Sequence, residues 1–213
     1  MLNSQTTLVM LTISGNDGNM FSDAMTDCGG LGTGCSIGID AFMSKYKALI
    51  DSAQTGLQVT LSDIHSMAPN AKIILAGYPE PLSRTYECDD AATFSRDEIS
   101  AMADLTSYME TKQSASVTAL RTGSGIPVYY GSPITAFVGH GACDLDPWIN
   151  AVVLGPNGDG DFHSGDANSH CLSVAGITGP CLSRESFHPN EAGTTGYATF
   201  MQDQLSAIGY TES

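Results

Sequence analysis

Three short segments of the chain consist almost entirely of apolar residues and end at a turn or loop. Leu8–Ile13 ends in Ser-Gly-Asn-Asp, Ile73–Tyr78 ends at Pro79, and Val128–Tyr130 follows Pro127. Short continuous apolar runs are typical of parallel strands that are buried on both faces. The pattern therefore predicts three parallel strands, with functional residues expected directly after the first of them.

Apolar residues at helical spacing fill the intervals between these strands. They recur every three or four residues in four stretches: Phe42, Tyr46, Leu49 and Ile50; Leu57, Leu61, Ile64 and Ala68; Ile99, Met102, Leu105 and Met109; Tyr197, Met201, Leu205 and Ile208. Ser95 and Glu98 form a capping box that predicts where the third stretch begins. Strands that alternate with helices predict an α/β fold, a three-layer α/β/α sandwich around a parallel sheet.

Residues 131–190 follow a different pattern. They are rich in Gly, Asp, Asn and Pro and show little periodicity beyond Ala151–Leu154. We expect this segment to be a long excursion, held by disulfides, that precedes the last helix. The sequence contains no internal repeat and no linker, so it predicts a single domain over residues 1–213.

Charge and cysteine content narrow the classes of protein. The chain has 8 Lys and Arg against 23 Asp and Glu, a formal net charge of −15, which argues against nucleic-acid partners and anionic membrane surfaces. The six cysteines form no C-x-x-C pair, so disulfides in a secreted, extracellular protein are expected rather than a zinc site. No apolar run is long enough to cross a bilayer, and the first one is too short for a signal peptide.

One disulfide can be argued from local sequence. Cys28 and Cys35 bracket the glycine-rich segment Gly29–Gly34, which can bend enough to close a short loop. The other four cysteines allow three pairings, and the sequence does not choose among them. The preferred set is Cys28–Cys35, Cys143–Cys171 and Cys88–Cys181.

Two polar segments carry residue types suited to acyl transfer. Gly15-Asn16-Asp17 follows the first predicted strand, and Glu185-Ser186-Phe187-His188-Pro189-Asn190 precedes the last helix. In this order they resemble the third and fifth sequence blocks of the SGNH (GDSL) hydrolase family. Gly139–Cys143, with Trp148 soon after, resembles the region before the catalytic histidine in secreted actinobacterial members. The resemblance runs along nearly the whole chain and implies a flavodoxin-like fold and a carboxylic ester hydrolase, an esterase or lipase.

The resemblance also implies roles for individual residues. His188 matches the general base, and Asn16 matches the oxyanion donor, with Gly15 and Asp17 forming its loop. Glu185 stands where the family usually has the Asp that orients the imidazole, although some members use a backbone carbonyl, and both alternatives stay open. The resemblance implies no cofactor and no metal.

Metal binding has weak support in the sequence. Asn157, Asp159 and Asp161 alternate as calcium ligands do, but Phe162 and Asn168 occupy positions where such a loop has Gly and Glu. A plain turn is therefore favoured. The set formed by His163, Asp166 and His170 has no recognisable zinc spacing.

The family's serine nucleophile has no counterpart in its usual place. In the family a Gly-Asp-Ser motif follows the first strand, upstream of the asparagine block, and no Gly-Asp-Ser occurs here. Ser14 is rejected as a substitute, because a side chain so close to Asn16 is not expected to point at the same carbonyl. We therefore expect an N-terminally incomplete domain, lacking its first strand or strands, whose serine lies in a complementing N-terminal segment outside these residues.

This expectation has a structural consequence and an alternative. Without a neighbouring strand, Leu8–Ile13 becomes an exposed edge, so the 213 residues alone should self-associate or show little esterase activity. The alternative function is a non-catalytic binding or structural module on a degenerate SGNH scaffold. The substrate of an enzyme, whether a lipid, a short acyl ester, an acetylated sugar or a thioester, is not fixed by the sequence.

Overall fold

A computed structural model describes residues 2–28, 35, 38–84, 94–158, 160–166, 171–174 and 177–211. Its central element is a parallel sheet of three strands in the order β1 (Leu8–Leu11), β2 (Lys72–Ala76) and β3 (Val128–Gly131). Val9 lies opposite Ile73, which in turn lies opposite Val128. The three predicted strands are thus present, each one to two residues shorter or longer at its ends.

Four helices surround the sheet. They are α1 (Met20–Cys28), α2 (Ile39–Met67), α3 (Arg96–Gly123) and α4 (Glu191–Ala207). The two helical stretches predicted around Tyr46 and Leu61 form one continuous helix, α2. No proline stands between them, and the single glycine, Gly56, is tolerated within the helix. This helix ends just before Pro69, which cannot continue it.

The start of α3 follows its predicted cap. The Ser95 hydroxyl accepts a hydrogen bond from the Glu98 N–H at 3.3 Å, and the Glu98 carboxylate accepts one from the Ser95 N–H at 2.8 Å. Two donors that the helix itself cannot satisfy are thereby paired.

Helices α2 and α3 pack on one face of the sheet. Their apolar residues meet those of the strands in one buried cluster that includes Leu57, Leu61, Ile73, Leu75, Val117 and Val128. Helix α4 covers the other face, where the Tyr197 hydroxyl lies 2.9 Å from that of Thr12 and Lys72 Nζ donates to the Ile208 carbonyl. These layers form the three-layer α/β/α sandwich predicted from the sequence.

Strand β1 departs from its predicted burial. Val9 and Leu11 pack on the cluster beneath α2 and α3, but Met10, which points to the opposite face, is 44% exposed. Within the described residues β1 pairs with β2 on one side and with no strand on the other. Among the described strands β1 is thus an edge strand, and the exposure of Met10 shows that the expected burial on both faces is wrong.

The excursion before α4 contains a second, antiparallel sheet that the sequence pattern does not predict. Its strands are β4 (Leu154–Gly155), β5 (Cys171–Val174) and β6 (Ile177–Leu182), in the order β4-β6-β5. These strands are two to six residues long and include Gly and Pro, so they lack the alternation that reveals longer strands.

The disulfides are partly as predicted. Cys28 is bonded to Cys35, as expected from the loop between them. Cys171 is bonded to Cys181, its direct partner across β5 and β6, so the predicted pairings Cys143–Cys171 and Cys88–Cys181 are wrong. Cys143 is also in a disulfide, and Cys88 lies outside the described residues. None of the helices in the described part of the chain is long and apolar enough to cross a membrane.

Candidate active site

The loop after β1 is held from two sides. Ser14 has a φ of 74°, a left-handed conformation that is uncommon for a residue other than glycine. The fully buried Gln113 side chain donates hydrogen bonds to the Ile13 carbonyl and to the Ser14 hydroxyl, both at 3.1 Å. Ser14 Oγ is therefore directed at helix α3, in agreement with its rejection as the nucleophile.

Gly15 fits against a tyrosine ring where no side chain could stand. Its N–H donates to the Tyr78 hydroxyl at 3.0 Å, and a Cβ at this position would lie only 2.6 Å from Tyr78 Cζ. Burial raises the pKa of Tyr78, so its phenol stays neutral. This contact fixes the backbone directly before Asn16.

Asn16 follows as the cap of a short helical turn, Asp17–Asn19. Its side chain caps no backbone N–H of that turn, and Asn16 lines the cavity described below. Asp17 is the first residue of the turn.

His188 stands on a tight turn whose backbone orients its ring. Nδ1 lies 3.0 Å from the Ser186 carbonyl oxygen, and because a carbonyl can only accept, the proton of a neutral imidazole must lie on Nδ1. Nε2 is then left with a lone pair that can accept a proton. The Phe21 ring packs edge to face with the imidazole, with 5.8 Å between the ring centroids.

The predicted contact between Glu185 and His188 does not form. The Glu185 carboxylate instead accepts a hydrogen bond from Asn157 Nδ2 at 2.8 Å. The Ser186 carbonyl, and not the Glu185 carboxylate, is the hydrogen-bond partner of His188 Nδ1. Of the two alternatives left open by the sequence, the structure has the backbone carbonyl.

Neighbouring backbone groups anchor the histidine turn. Ser186 Oγ accepts from the Val153 N–H at 3.0 Å and donates to the Val153 carbonyl at 3.1 Å. The Asn150 N–H donates to the His188 carbonyl at 2.9 Å, and Ile149 pairs with Pro189. Ser186 is thus a structural hydroxyl.

The segment with the weak calcium-like pattern is held together by the carboxylate of Asp161. The Asp161 carboxylate accepts backbone N–H bonds from Arg184, Asn157 and Phe162 at 2.8–2.9 Å. These donors, the Arg184 N–H first, hold the pKa of Asp161 well below its usual range. Among the residues that the structure describes, no group of three or more His, Cys, Asp or Glu is arranged to hold a metal; Asp159, Asn168 and His170 lie outside them.

The segment from Gly139 to Cys143 contacts the histidine turn through Trp148. The His140 ring stacks on the Trp148 ring with centroids 3.8 Å apart, and His140 Nδ1 lies 2.8 Å from the Asp146 carbonyl oxygen. The Trp148 carbonyl accepts from the Asn190 N–H at 2.9 Å. Asn190 in turn caps α4 through its side chain.

Asn16 and His188 line one cavity of about 480 Å³, a size typical of small-molecule sites. Most of its wall is apolar and comes from α1, α2, α3 and the histidine turn, including Phe21, Ile50, Leu105, Ile149 and Phe187. Polar side chains besides Asn16 and His188 are hydroxyls and phenols, among them Thr12, Thr106 and Thr194. No serine is among the described residues of this wall.

The sequence does contain one serine motif of another hydrolase class, so an expectation that it has no Gly-x-Ser-x-Gly is wrong. Gly34-Cys35-Ser36-Ile37-Gly38 has the Gly-x-Ser-x-Gly pattern of α/β-hydrolase nucleophiles. That nucleophile stands on a turn from a strand into a helix, whereas here helix α1 precedes the segment and Cys35 is bonded to Cys28. Ser36 lies outside the described residues. It is a competing candidate for the nucleophile.

Sequence comparison finds two relatives from Streptomyces. The chain is 32% identical over 155 residues to a lipase from Streptomyces rimosus and 26% identical over 196 residues to Lipase 1 from Streptomyces coelicolor. The matches cover 72% and 92% of this chain but only 53% and 59% of the relatives. The chain thus spans between half and three fifths of their length. No model of a protein family matches it.

Structural comparison gives the same relationship. The extracellular lipase from Streptomyces rimosus superposes with a TM-score of 0.67 at 24% identity, and phospholipase A1 from Streptomyces albidoflavus with 0.65 at 27%. Each match covers 95% of this chain and 70% of the other. The sequence and structural matches together confirm the resemblance to SGNH hydrolases and their α/β/α fold.

Proposed function

We propose that this chain, a relative of the SGNH hydrolases of Streptomyces, carries the oxyanion donor and the general base of a carboxylic ester hydrolase. The observation that carries the proposal is that Asn16 and His188, far apart in sequence, line the same apolar cavity. An amide donor and a basic imidazole beside an apolar cleft are what acyl transfer from an ester requires.

The chemistry follows from these groups. A serine hydroxyl attacks the ester carbonyl while His188 Nε2 takes its proton, and His188 then returns that proton to the leaving alcohol. Water, activated by the same Nε2, releases the acid from the acyl-enzyme. The Asn16 amide stabilises the oxyanion of both tetrahedral intermediates, a contribution of about 3 kcal/mol for one such donor.

The histidine works in this proposal without a carboxylate partner. The Ser186 carbonyl accepts the hydrogen bond from His188 Nδ1–H, with 3.0 Å between the nitrogen and the oxygen. This bond fixes the tautomer and stabilises the imidazolium that forms during attack. Glu185 contributes indirectly, because its bond to Asn157 ties the histidine turn to the segment before it.

The nucleophile in this proposal lies in a complementing segment outside these 213 residues. Support comes from the absence of Gly-Asp-Ser in the sequence and from β1, which has a strand on only one side among the residues that the structure describes and carries the exposed Met10. A strand added at that edge would cover apolar surface and bring its terminal residues to the end of the sheet where Asn16 lies.

The proposal extends to substrate and location. The apolar wall and the lipase and phospholipase names of the relatives favour a lipid ester, and the disulfides favour a secreted protein. The net charge of −15 gives no support to a nucleic-acid partner.

Hydrolysis of p-nitrophenyl esters by the full-length protein tests this function. His188→Ala should lower kcat roughly 10⁴- to 10⁶-fold, and Asn16→Ala roughly 10²- to 10³-fold. His163→Ala is the matched control, since His163 is not part of the cavity wall. A full-length protein that hydrolyses no ester would favour the non-catalytic module, and hydrolysis that survives loss of His188 would contradict the proposed base.

A further inference from the structure

Three methionine side chains are part of the cavity wall. Met20 is the first residue of α1, and Met102 and Met109 lie seven residues apart on one face of α3. All three are buried. They line the cavity and are screened from solvent, so a chain bound there would meet their side chains.

Methionine gives such a wall unusual freedom of shape. Its unbranched side chain has three rotatable bonds and a polarisable sulfur, so it fills irregular gaps and adapts to differently shaped neighbours. Leucine has a similar volume but is branched and has fewer rotamers. A wall built from three methionines can therefore move aside for a methyl branch that a leucine wall would exclude.

The charge of the wall restricts the ligand. Among its described residues there is no Lys, Arg, Asp or Glu, and an ionised ligand group would lose its hydration there without a partner. The part of a ligand inside the cavity is therefore an uncharged apolar chain. Asn16 and His188 on the same wall place the ester carbonyl of that ligand at their end of the cavity.

We infer that this cavity is an acyl-chain site whose methionine wall accepts branched chains as readily as straight ones. The inference rests on the proposed function for the position of the carbonyl. It adds a specificity that the function alone does not imply, and it assigns that specificity to Met20, Met102 and Met109.

Binding of two isomeric alcohols to the full-length protein tests the inference without any need for hydrolysis. Decanol and 8-methylnonanol have the same atoms and differ only in a terminal branch, and calorimetric titration gives a Kd for each. In the unchanged protein the two values should agree within about threefold. Replacing all three methionines by leucine should weaken binding of the branched isomer about tenfold relative to the straight one.

The exposed residues Met10 and Met67 provide the control, since their replacement by leucine should leave both affinities unchanged. Thermal unfolding of the triple variant confirms that it is folded, and single Met102→Leu and Met109→Leu variants replace it if it is not. The inference is overturned if neither alcohol binds, if the unchanged protein prefers the straight isomer about tenfold, or if the leucine variants keep the ratio of the unchanged protein. Failure of ester hydrolysis with retained alcohol binding would count against the proposed function alone.

Discussion

The hydroxyl of Tyr78 accepts a hydrogen bond from the backbone N–H of Gly15 at 3.0 Å, and this single contact fixes the chain next to the candidate oxyanion donor. Tyr78 comes from the loop after β2, so the contact joins the carboxyl ends of two adjacent parallel strands. In such sheets ligands bind at this end, and here the contact lies at the wall of the cavity.

Tyr78→Phe should lower the free energy of unfolding by about 1–3 kcal/mol, because the partly buried Gly15 N–H is left without an acceptor. Urea denaturation measures the change. Tyr210→Phe is the matched control: its hydroxyl bonds Thr7 at an exposed site, and its loss should cost well under about 1 kcal/mol. Equal effects of the two variants would contradict the structural role given to Tyr78.

Gln113 and Ser14 should be energetically coupled. Gln113→Leu removes the donor that holds the left-handed Ser14, and Ser14→Gly makes that conformation easy. In the unchanged protein Ser14→Gly loses a hydrogen bond, whereas in the Gln113→Leu background it loses none. A double-mutant cycle in denaturant should therefore give a coupling of about 1 kcal/mol, and strictly additive effects would refute it.

Glu185→Gln should leave the protonation pattern of the His188 ring unchanged. The Nδ1–H bond goes to the Ser186 carbonyl, and the Glu185 side chain faces Asn157. Nitrogen NMR of the labelled histidine distinguishes the two tautomers, and both proteins should show the proton on Nδ1. A shift of the proton to Nε2 in the variant would show that the Glu185 carboxylate orients the His188 ring, and would contradict the role given to the Ser186 carbonyl.

Asp161 should make the small antiparallel sheet sensitive to acid. Its pKa is lower in the folded than in the unfolded protein, because the Arg184 N–H and other backbone donors favour the ionised form. Its stabilising effect is therefore complete above the unfolded-state pKa of about 3.9 and is lost as the pH falls through the folded-state value. Asp161→Asn should lower the Tm at pH 7, and the difference from the unchanged protein should shrink below about pH 4.

A Tm difference that stayed constant down to acid pH would contradict this account of Asp161. Asp63→Asn serves as the control, since Asp63 is an exposed residue of helix α2 and not of the antiparallel sheet. Its Tm difference should be small throughout the pH range.

The parts of this fold that were predictable from sequence are those in which one local rule decides. The strand β2 is a continuous apolar run, and the Ser95 capping box marks the first turn of α3. The strand β1 obeys the same apolar rule yet is half exposed, because burial depends on which strand lies beside it. That neighbour cannot be inferred from the strand's own residues.

In the candidate site, too, some features could be predicted from the sequence and others could not. Asn16 and His188 could be named from short motifs, and the structure brings them to one cavity. The partner of His188 Nδ1 could not, since a backbone carbonyl leaves no trace in residue type. The cross-strand disulfide Cys171–Cys181 depends on the register of β5 and β6, which strands so short do not encode visibly.

The most direct test of the account is to locate the nucleophile. A fluorophosphonate probe reacts with the activated serine of an ester hydrolase, and mass spectrometry of the labelled full-length protein identifies the residue. We expect the label in a Gly-Asp-Ser peptide outside these 213 residues, with labelling abolished in His188→Ala and retained in Ser36→Ala. A label on Ser36 or on any other serine of these residues, or labelling that does not depend on His188, would contradict the account.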